Sequence, residues 1–217
     1  MSLAFFLKLL KDPSPAFECY YAGDKLEKLS LIAKVINRLG VPATVEDVRL
    51  AKELSLNVSK DFISLIKLHN GVELFCDERS DAVGIEFYRV QDWERMTEEL
   101  HSSLSEMSHE EGDLDWAKNL LAFGEIPHSG NYFAIQTQGD LAGSIYYVDH
   151  DDYRTEPFVD SFDELMGKIA SDPPQFMYDR GCYIATLTAK QNNSGFRKIT
   201  SAIIPPNDFH AQTFSLR

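Results

Sequence analysis

The chain has 217 residues, of which 44% are hydrophobic, so it can bury a core as one compact unit. Its 21 lysines and arginines are outnumbered by 34 aspartates and glutamates, which gives a formal net charge of −13. Such a surface repels nucleic acid phosphates and anionic membranes and attracts basic proteins, so we expect no nucleic-acid or membrane partner. The plainer explanation of the acidity is that net charge keeps a protein soluble.

The three cysteines and the N-terminal run bear on the cellular compartment. Cys19, Cys76 and Cys182 are odd in number and far apart, which favours a reducing compartment over a zinc site or a disulfide scaffold. The apolar run Leu3–Leu10 contains Lys8, lacks a cleavage site and is too short to span a bilayer. We expect this run to be a docked amphipathic helix and the protein to be cytoplasmic.

A longer helix is predicted from Asp24 to Leu39. Asp24 is a capping residue with Glu27 three positions later, and apolar residues then recur at helical spacing. The segment Gly40-Val41-Pro42 ends it. The predicted apolar face comprises Leu26, Leu29, Ala33, Ile36 and Leu39.

A second capping pair, Thr44 with Asp47, begins another predicted helix that runs to about Leu54. Helical spacing turns Val48, Ala51 and Leu54 inward. The residues before this helix, 1–43, therefore form a predicted N-terminal helical extension.

The segment from Ser59 to Gly71 predicts a short, buried helix around which the rest of the chain is organised. Ser59 suits the N-cap, and Asn70-Gly71 supplies a left-handed residue that ends the helix. Apolar residues at helical spacing require that the helix be buried. Its apolar face comprises Phe62, Leu65, Ile66 and His69, widened by Ile63 and Leu68.

Strand-like patterns follow in the second half of the chain. Residues 83–90 alternate as a half-buried strand does, and Asp92 then caps an amphipathic helix. Short connections between the later strands favour an antiparallel meander, because a parallel pair needs a long crossover. The predicted strands are Leu120–Phe123, Tyr132–Thr137 and Ser144–Asp149, with an edge strand at Glu156–Val159.

Ser161 and Glu164 form a capping box for the last core helix, which Asp172-Pro173-Pro174 ends. The predicted fold class is α+β, a mainly antiparallel sheet with helices packed on one face, in a single domain. Its core spans 44–172 and a C-terminal extension spans 173–217. In that extension we expect strands around Tyr183–Leu187 and Ile199–Ile204, with a helix over Cys182–Lys190 as the alternative.

The best enzymatic candidate is the cluster Asp149-His150-Asp151-Asp152, whose carboxylates could hold a divalent ion that activates water. The alternative is a solvated turn, where aspartate is favoured because its side chain mimics a backbone hydrogen bond. As a calcium loop the cluster fails, since Tyr153 and Arg154 replace an oxygen ligand and the required glycine. We therefore expect no catalytic residue, no metal and no cofactor.

Several short motifs resemble the SMI1/KNR4 family, also called the SUKH superfamily, over about residues 44–172. A buried helix ending in Asn70-Gly71 is followed by strands, as in the opening of that family. Two turns depart from its pattern: Leu56-Asn57-Val58-Ser59 stands where the family often has Leu-Pro, and Gly130-Asn131 where it often has Gly-Asp. The other matching blocks are 121–126, 130–135, 143–151 and 161–165.

The resemblance implies a non-catalytic protein-binding module. The family includes bacterial immunity proteins that bind and neutralise polymorphic toxins, often nucleases or nucleic-acid deaminases, so the implied partner is a toxin domain with a basic surface. The first alternative is a regulatory scaffold, as in the fungal members linked to cell-wall synthesis. The second is a metal-dependent hydrolase that uses Asp149, Asp151 and Asp152.

Within the binding hypothesis we place the contact surface on two acidic loops at one rim of the sheet. Charged loop side chains supply specificity, whereas the buried elements position them. The alternative is that these acids are only solvated. The sequence identifies neither the partner nor the oligomeric state. The candidate residues are Glu73, Asp77, Glu78 and Asp81 in the first loop and Asp149, Asp151, Asp152, Tyr153 and Glu156 in the second.

Overall fold

Five α-helices are present in the described part of this computed structural model. The structure describes residues 3–11, 17–21, 29–33, 35–54, 59–77, 83–107, 114–150, 155–171, 183–186, 188–190 and 196–198. Short 3-10 helices lie at Val90–Asp92 and Asp115–Ala117. The α-helices are α1 (Leu3–Lys11), α2 (Val45–Leu54), α3 (Lys60–Leu68), α4 (Trp93–Met107) and α5 (Phe162–Ser171).

The strands of the described residues form three antiparallel sheets. The largest has six strands in the order β3-β4-β5-β6-β7-β8, and the smaller ones have the orders β2-β1-β9 and β10-β11. This arrangement confirms the α+β fold class and the antiparallel meander. The strands are β1 (Phe17–Tyr21), β2 (Leu29–Ala33), β3 (Val35–Leu39), β4 (Val72–Asp77), β5 (Ile85–Phe87), β6 (Leu120–Ile126), β7 (Asn131–Gln136), β8 (Ile145–Val148), β9 (Tyr183–Thr186), β10 (Thr188–Lys190) and β11 (Phe196–Lys198).

An aromatic cluster joins α3 and α5 to the sheet. The ring of Phe62 in α3 stacks on Phe162 in α5 with 3.9 Å between centroids. Its edge meets Phe123 of β6 at 5.1 Å, and Phe87 of β5 completes the cluster. Full burial of each such ring stabilises the fold by about 1.5 to 3 kcal/mol relative to exposure. The predicted burial of α3 is confirmed, except that Leu68 is 45% exposed.

The predicted ends of α3 are also confirmed. The Ser59 hydroxyl accepts a hydrogen bond from the Phe62 amide at 3.0 Å and donates one to Asp163 of α5 at 3.1 Å. After the helix, Gly71 adopts φ +94°, a conformation that favours glycine. One serine therefore caps α3 and ties it to α5.

A buried polar network holds the start of α2 against the end of α3. The Thr44 amide donates to Asp47 and the Asp47 amide donates to the Thr44 hydroxyl, which confirms the predicted capping pair. Asn70 donates from its side chain to Asp47 and to Gln91, and its oxygen accepts from the Val90 amide at 2.9 Å. Since unpaired buried polar groups are costly, this network fixes the register of three elements.

The predicted helix from Asp24 to Leu39 is wrong, because the described residues of this segment form β2 and β3. Leu29, Leu31 and Ala33 fit the alternation of a strand, whereas only Leu29 and Ala33 also fit helical spacing. The run is rich in β-branched residues, and β3 gains a partner in β4, so tertiary pairing overrides the helical pattern.

Asn37 anchors β3 at a register irregularity of the β3–β4 pair. Its side chain accepts a hydrogen bond from the Phe75 amide at 2.9 Å and donates one to the Leu10 carbonyl of α1 at 3.2 Å. Phe75 is fully buried with φ +58°, a left-handed conformation that is uncommon outside glycine. The first helix therefore docks, as predicted, and β3 belongs to the main sheet.

The remaining predictions have mixed outcomes. Strand β9 lies where a strand was expected, whereas β10 was not predicted. Both are strands, so the helical alternative over 182–190 is wrong. The segment Ile199–Ile204 lies outside the described residues. The predicted edge strand at Glu156–Val159 is reduced to a single bridge between Val159 and Ile145. The capping box of α5 is present, since Ser161 accepts from the Glu164 amide. The division into a core and two extensions stays a prediction.

Candidate partner-binding surface

One end of the six-stranded sheet gathers the described parts of both predicted acidic loops. Because neighbouring strands are antiparallel, β4, β6 and β8 run in the same direction. Asp77, at the end of β4, and Asp149, directly after β8, therefore lie at the same end of the sheet. Three strands separate β4 from β8, so four spacings of about 4.8 Å put these two strands roughly 19 Å apart.

Several predicted contact residues have a different setting from the one expected. Glu73 lies inside β4 and not in a loop, and its carboxylate forms an ion pair with Arg38 of β3 at 3.1 Å. Asp77 also lies in β4, as its last residue. Glu156 is exposed. Whether any of them binds a partner stays a prediction. The residues Glu78, Asp81, Asp151, Asp152 and Tyr153 lie outside the described part of the chain.

Buried Asn131 anchors the start of the second loop. Its Oδ1 atom accepts hydrogen bonds from the main-chain nitrogen of His150 at 3.0 Å and from the ring Nδ1 of His150 at 2.8 Å. Its Nδ2 atom donates to the Tyr147 hydroxyl at 2.7 Å. With the amide in this orientation the proton of the imidazole resides on Nδ1. The direction in which the chain leaves β8 is therefore fixed by a side chain of β7.

The metal hypothesis finds no support in the described residues. Nδ1 of His150 lies 3.7 Å from the Asp149 carboxylate, and it is already engaged by Asn131. Across the ranges that the structure describes, no three histidine, cysteine, aspartate or glutamate side chains are grouped to hold a metal ion. Asp151 and Asp152, which the hypothesis requires, are not among those ranges.

A line of carboxylates crosses strands β4, β5 and β6, near the start of β4 and near the end of β6. Glu73 of β4 is directly opposite Glu86 of β5, which is directly opposite Glu125 of β6. We call these three residues the acidic row. Successive side chains of a strand point to opposite faces, so Glu86 lies on the face opposite Phe87 and its aromatic cluster. Like charges placed opposite each other across two strands destabilise a sheet.

The surroundings of Glu86 and Glu125 disfavour the ionised forms of these two carboxyl groups. Burial raises the pKa of Glu125, with a smaller contribution from Glu99, while Tyr88, His128 and Arg95 act in the opposite direction. Burial also raises the pKa of Glu86. The neighbouring carboxylates Glu125, Glu73 and Asp92 add to that effect, and Arg89 offsets it in part.

Tyr88 lies beside the acidic row with only 6% of its surface exposed. Its hydroxyl is close enough to Glu125 to offset part of the effect of burial on that carboxyl. Nevertheless it makes no hydrogen bond of normal length and angle to any residue that the structure describes. Burial, and next the charge of Glu125, raises the pKa of Tyr88 far above its usual range. A buried hydroxyl thus points at a carboxylate without a well-formed bond.

Helix α4 borders the acidic row on one side. Tyr132 of β7 is opposite Glu125, and burial followed by the charge of Glu125 raises its pKa. Ser103 of α4 lies close enough to the Tyr132 hydroxyl to lower that pKa in part. Glu99 of α4 adds a further negative charge near both residues. Carboxylates therefore surround Glu125 from β5 and α4.

Of the three described arginines near the acidic row, Arg38 and Arg95 form salt bridges. Arg38 pairs with Glu73, and Arg95 pairs with Glu99 at 2.6 Å and with Asp92 at 3.7 Å. The side chain of Arg89 runs over Gly71, where a Cβ atom would come within 2.9 Å of its Cγ. In the part of the chain described by the structure, no salt bridge reaches Glu86 or Glu125.

Sequence reasoning missed both the acidic row and the Asn131 anchor. Glu86 lies in the predicted strand 83–90 and Glu125 in the matching block 121–126, and neither was singled out as a site residue. The signal in the sequence that could have revealed the acidic row is a single glutamate within each of the apolar strands β5 and β6. Strand register decides whether such residues meet, and register over distant segments is not visible in one sequence.

Comparison with known proteins shows to which family the chain belongs. None of the described helices is long and apolar enough to cross a membrane. No curated protein matches the chain significantly. The family model described as SMI1 / KNR4 family (SUKH-1) matches residues 42–168, which is more than half of the chain. The matched segment contains α2, α3, α4, the first part of α5 and β4 to β8, and therefore most of the sheet and the acidic row. The chain belongs to the SMI1/KNR4 family.

Proposed function

We propose that this protein is a non-catalytic immunity protein that acts in the cytoplasm and neutralises a toxin domain by binding it. Membership of the SMI1/KNR4 family supports a protein-binding role. The observation that carries the proposal is the acidic row, whose carboxylates Glu86 and Glu125 have no ion-pair partner among the described residues. A surface that is unfavourable in the isolated protein gains its counter-charges from a basic partner.

The proposed toxin is a nuclease or a nucleic-acid deaminase. Such enzymes bind phosphates, so their substrate sites are basic. A protein with a net charge of −13 is attracted to such a site and speeds the encounter by electrostatic steering. Once bound, its carboxylates occupy the positions that substrate phosphates would take. Inhibition then needs no chemistry from the immunity protein.

The proposed contact surface is the end of the sheet that carries the two acidic loops. Loop residues differ most readily between partners, so they supply specificity, while the sheet holds them in place. Asp77 and Asp149 mark the two sides of this surface. The other proposed contacts are Glu73, Glu78, Asp81, Asp151, Asp152, Tyr153 and Glu156.

The experiment that tests the proposal is co-expression with the toxin domain encoded by a neighbouring gene. We expect this protein to rescue cells from that toxin, while an unrelated toxin still kills them. The pair Asp77→Lys with Glu78→Lys should weaken binding without unfolding the protein, and the association rate of the wild type should fall as salt rises. Failure to bind any neighbouring gene product, together with several weak partners in a pull-down, would favour the regulatory scaffold.

A further inference from the structure

We propose that the acidic row is a docking site for one arginine side chain of the partner, with Glu86 and Glu125 as its two acceptors. The identity of the partner rests on the proposed function, whereas the chemistry of the site rests on the structure alone. The site lies on the sheet face and is separate from the loop residues that mark the ends of β4 and β8.

The spacing of the two carboxylates suits a guanidinium group. Glu86 and Glu125 are directly opposite on neighbouring antiparallel strands, so their Cβ atoms are about 4.5 to 5.5 Å apart. A guanidinium is planar and presents five N–H donors in a fixed fork, so it can donate to both carboxylates at once. Both glutamates are half-buried, so neither side chain is closed off completely from solvent. A lysine ammonium would act only as a point charge.

Tyr88 is the second and independent observation at this site. Its hydroxyl is buried, lies beside Glu125 and lacks a well-formed hydrogen bond among the described residues. A phenolic hydroxyl can donate to a carboxylate and accept from a guanidinium. An arginine seated between Glu86 and Glu125 would therefore complete the hydrogen bonding of a group that is otherwise left unsatisfied at a cost.

Two described arginines near the acidic row, Arg38 and Arg95, do not supply this cation. Arg38 is held by Glu73, and Arg95 is held by Glu99 and Asp92. Each would have to leave a carboxylate partner in order to move. A metal ion fits less well than an arginine, because no described group of three suitable side chains is arranged to hold one. The site is thus matched to an organic cation delivered from outside.

The test uses a tri-arginine amide peptide and the full-length protein labelled with ¹³C. Carboxyl NMR should show that the peptide perturbs Glu86 and Glu125 more than the other glutamates. The double variant Glu86→Gln with Glu125→Gln should bind the peptide about tenfold more weakly by calorimetry, which corresponds to about 1.4 kcal/mol. The matched control, Glu98→Gln with Glu106→Gln, removes the same charge from exposed positions on α4 and should change the affinity less than twofold.

Two results would overturn the inference. Equal weakening by both double variants would mean that the peptide senses only net charge. Equal affinity for a tri-lysine amide would remove the assignment to arginine. Tyr88→Phe keeps the ring and deletes the hydroxyl, so it should weaken tri-arginine binding while leaving the fold intact.

Measuring toxin binding beside peptide binding separates this inference from the proposed function. If no neighbouring toxin binds but the peptide still selects Glu86 and Glu125, the immunity role fails and the arginine site stands. If the toxin binds with full affinity to the Glu86→Gln, Glu125→Gln variant, the immunity role stands and the site is not the one its partner uses.

Discussion

A single oxygen atom of Asn131 accepts hydrogen bonds from both the main chain and the ring of His150, at 3.0 and 2.8 Å. Replacing Asn131 by alanine removes the acceptor of these two hydrogen bonds and a donor to the Tyr147 hydroxyl. We expect Asn131→Ala to lower the free energy of unfolding by about 1 to 3 kcal/mol. Urea denaturation measures this loss. The control Gln138→Ala removes an exposed side-chain amide and should change stability by less than about 0.5 kcal/mol.

The acidic row predicts that the isolated protein is more stable with its charges removed. Like charges opposite each other in a sheet cost about 0.2 to 1 kcal/mol, so Glu86→Gln with Glu125→Gln should raise the Tm at pH 7 by about 1 to 4 °C. Differential scanning calorimetry provides the measurement. A lower Tm for the double variant would show that these carboxylates stabilise the fold.

The same pair predicts a direction of pH dependence. The pKa values of Glu86 and Glu125 are raised above 4.5 in the folded protein, so the folded state favours their protonated forms. The stability that comes from protonated Glu86 and Glu125 is fully present below the pKa they have in the unfolded chain. It is lost as the pH rises through the pKa values they have in the folded protein. Lowering the pH from 7 towards 4.5 should therefore restore stability. The double glutamine variant should lose this part of the slope.

Burial of α3 predicts that Ile66→Asp unfolds the protein. Ile66 is 4% exposed, and an unpaired carboxylate there costs several kcal/mol, comparable to the roughly 5 to 15 kcal/mol that holds a domain together. Circular dichroism should show loss of the cooperative transition. The adjacent Lys67 is exposed on the same helix, so Lys67→Asp should fold normally. A cooperative transition in Ile66→Asp would contradict the position of α3 in the core.

A non-catalytic function predicts that divalent ions have no effect on stability. A ligand that binds only the folded state raises the Tm by mass action, so a real site would be visible with Mg²⁺, Mn²⁺ or Ca²⁺ at millimolar concentration. We expect no shift for the wild type. A shift that is lost in Asp149→Asn with Asp151→Asn would instead support the metal-dependent hydrolase.

The sequence predicted those parts of the fold whose signals are local. The Ser59 cap, the Thr44–Asp47 pair and the close strands after residue 120 depend on neighbours in the chain, and each was confirmed. The β3 strand was missed because its pattern also fits a helix and its pairing with β4 joins residues about 35 positions apart. The acidic row escaped prediction for the same reason, since Glu86 and Glu125 meet only through register.

Strand β3 lies outside the segment that matches the family, which begins at residue 42. A fragment cut at that boundary would leave β4 with an unpaired edge, a template for strand addition by another molecule. It would also uncover Cys76, whose burial in the intact chain raises the pKa of its thiol to about 11 and so protects it from oxidation. Such a fragment should precipitate or cross-link during purification, so production of this protein for binding studies has to begin upstream of Val35.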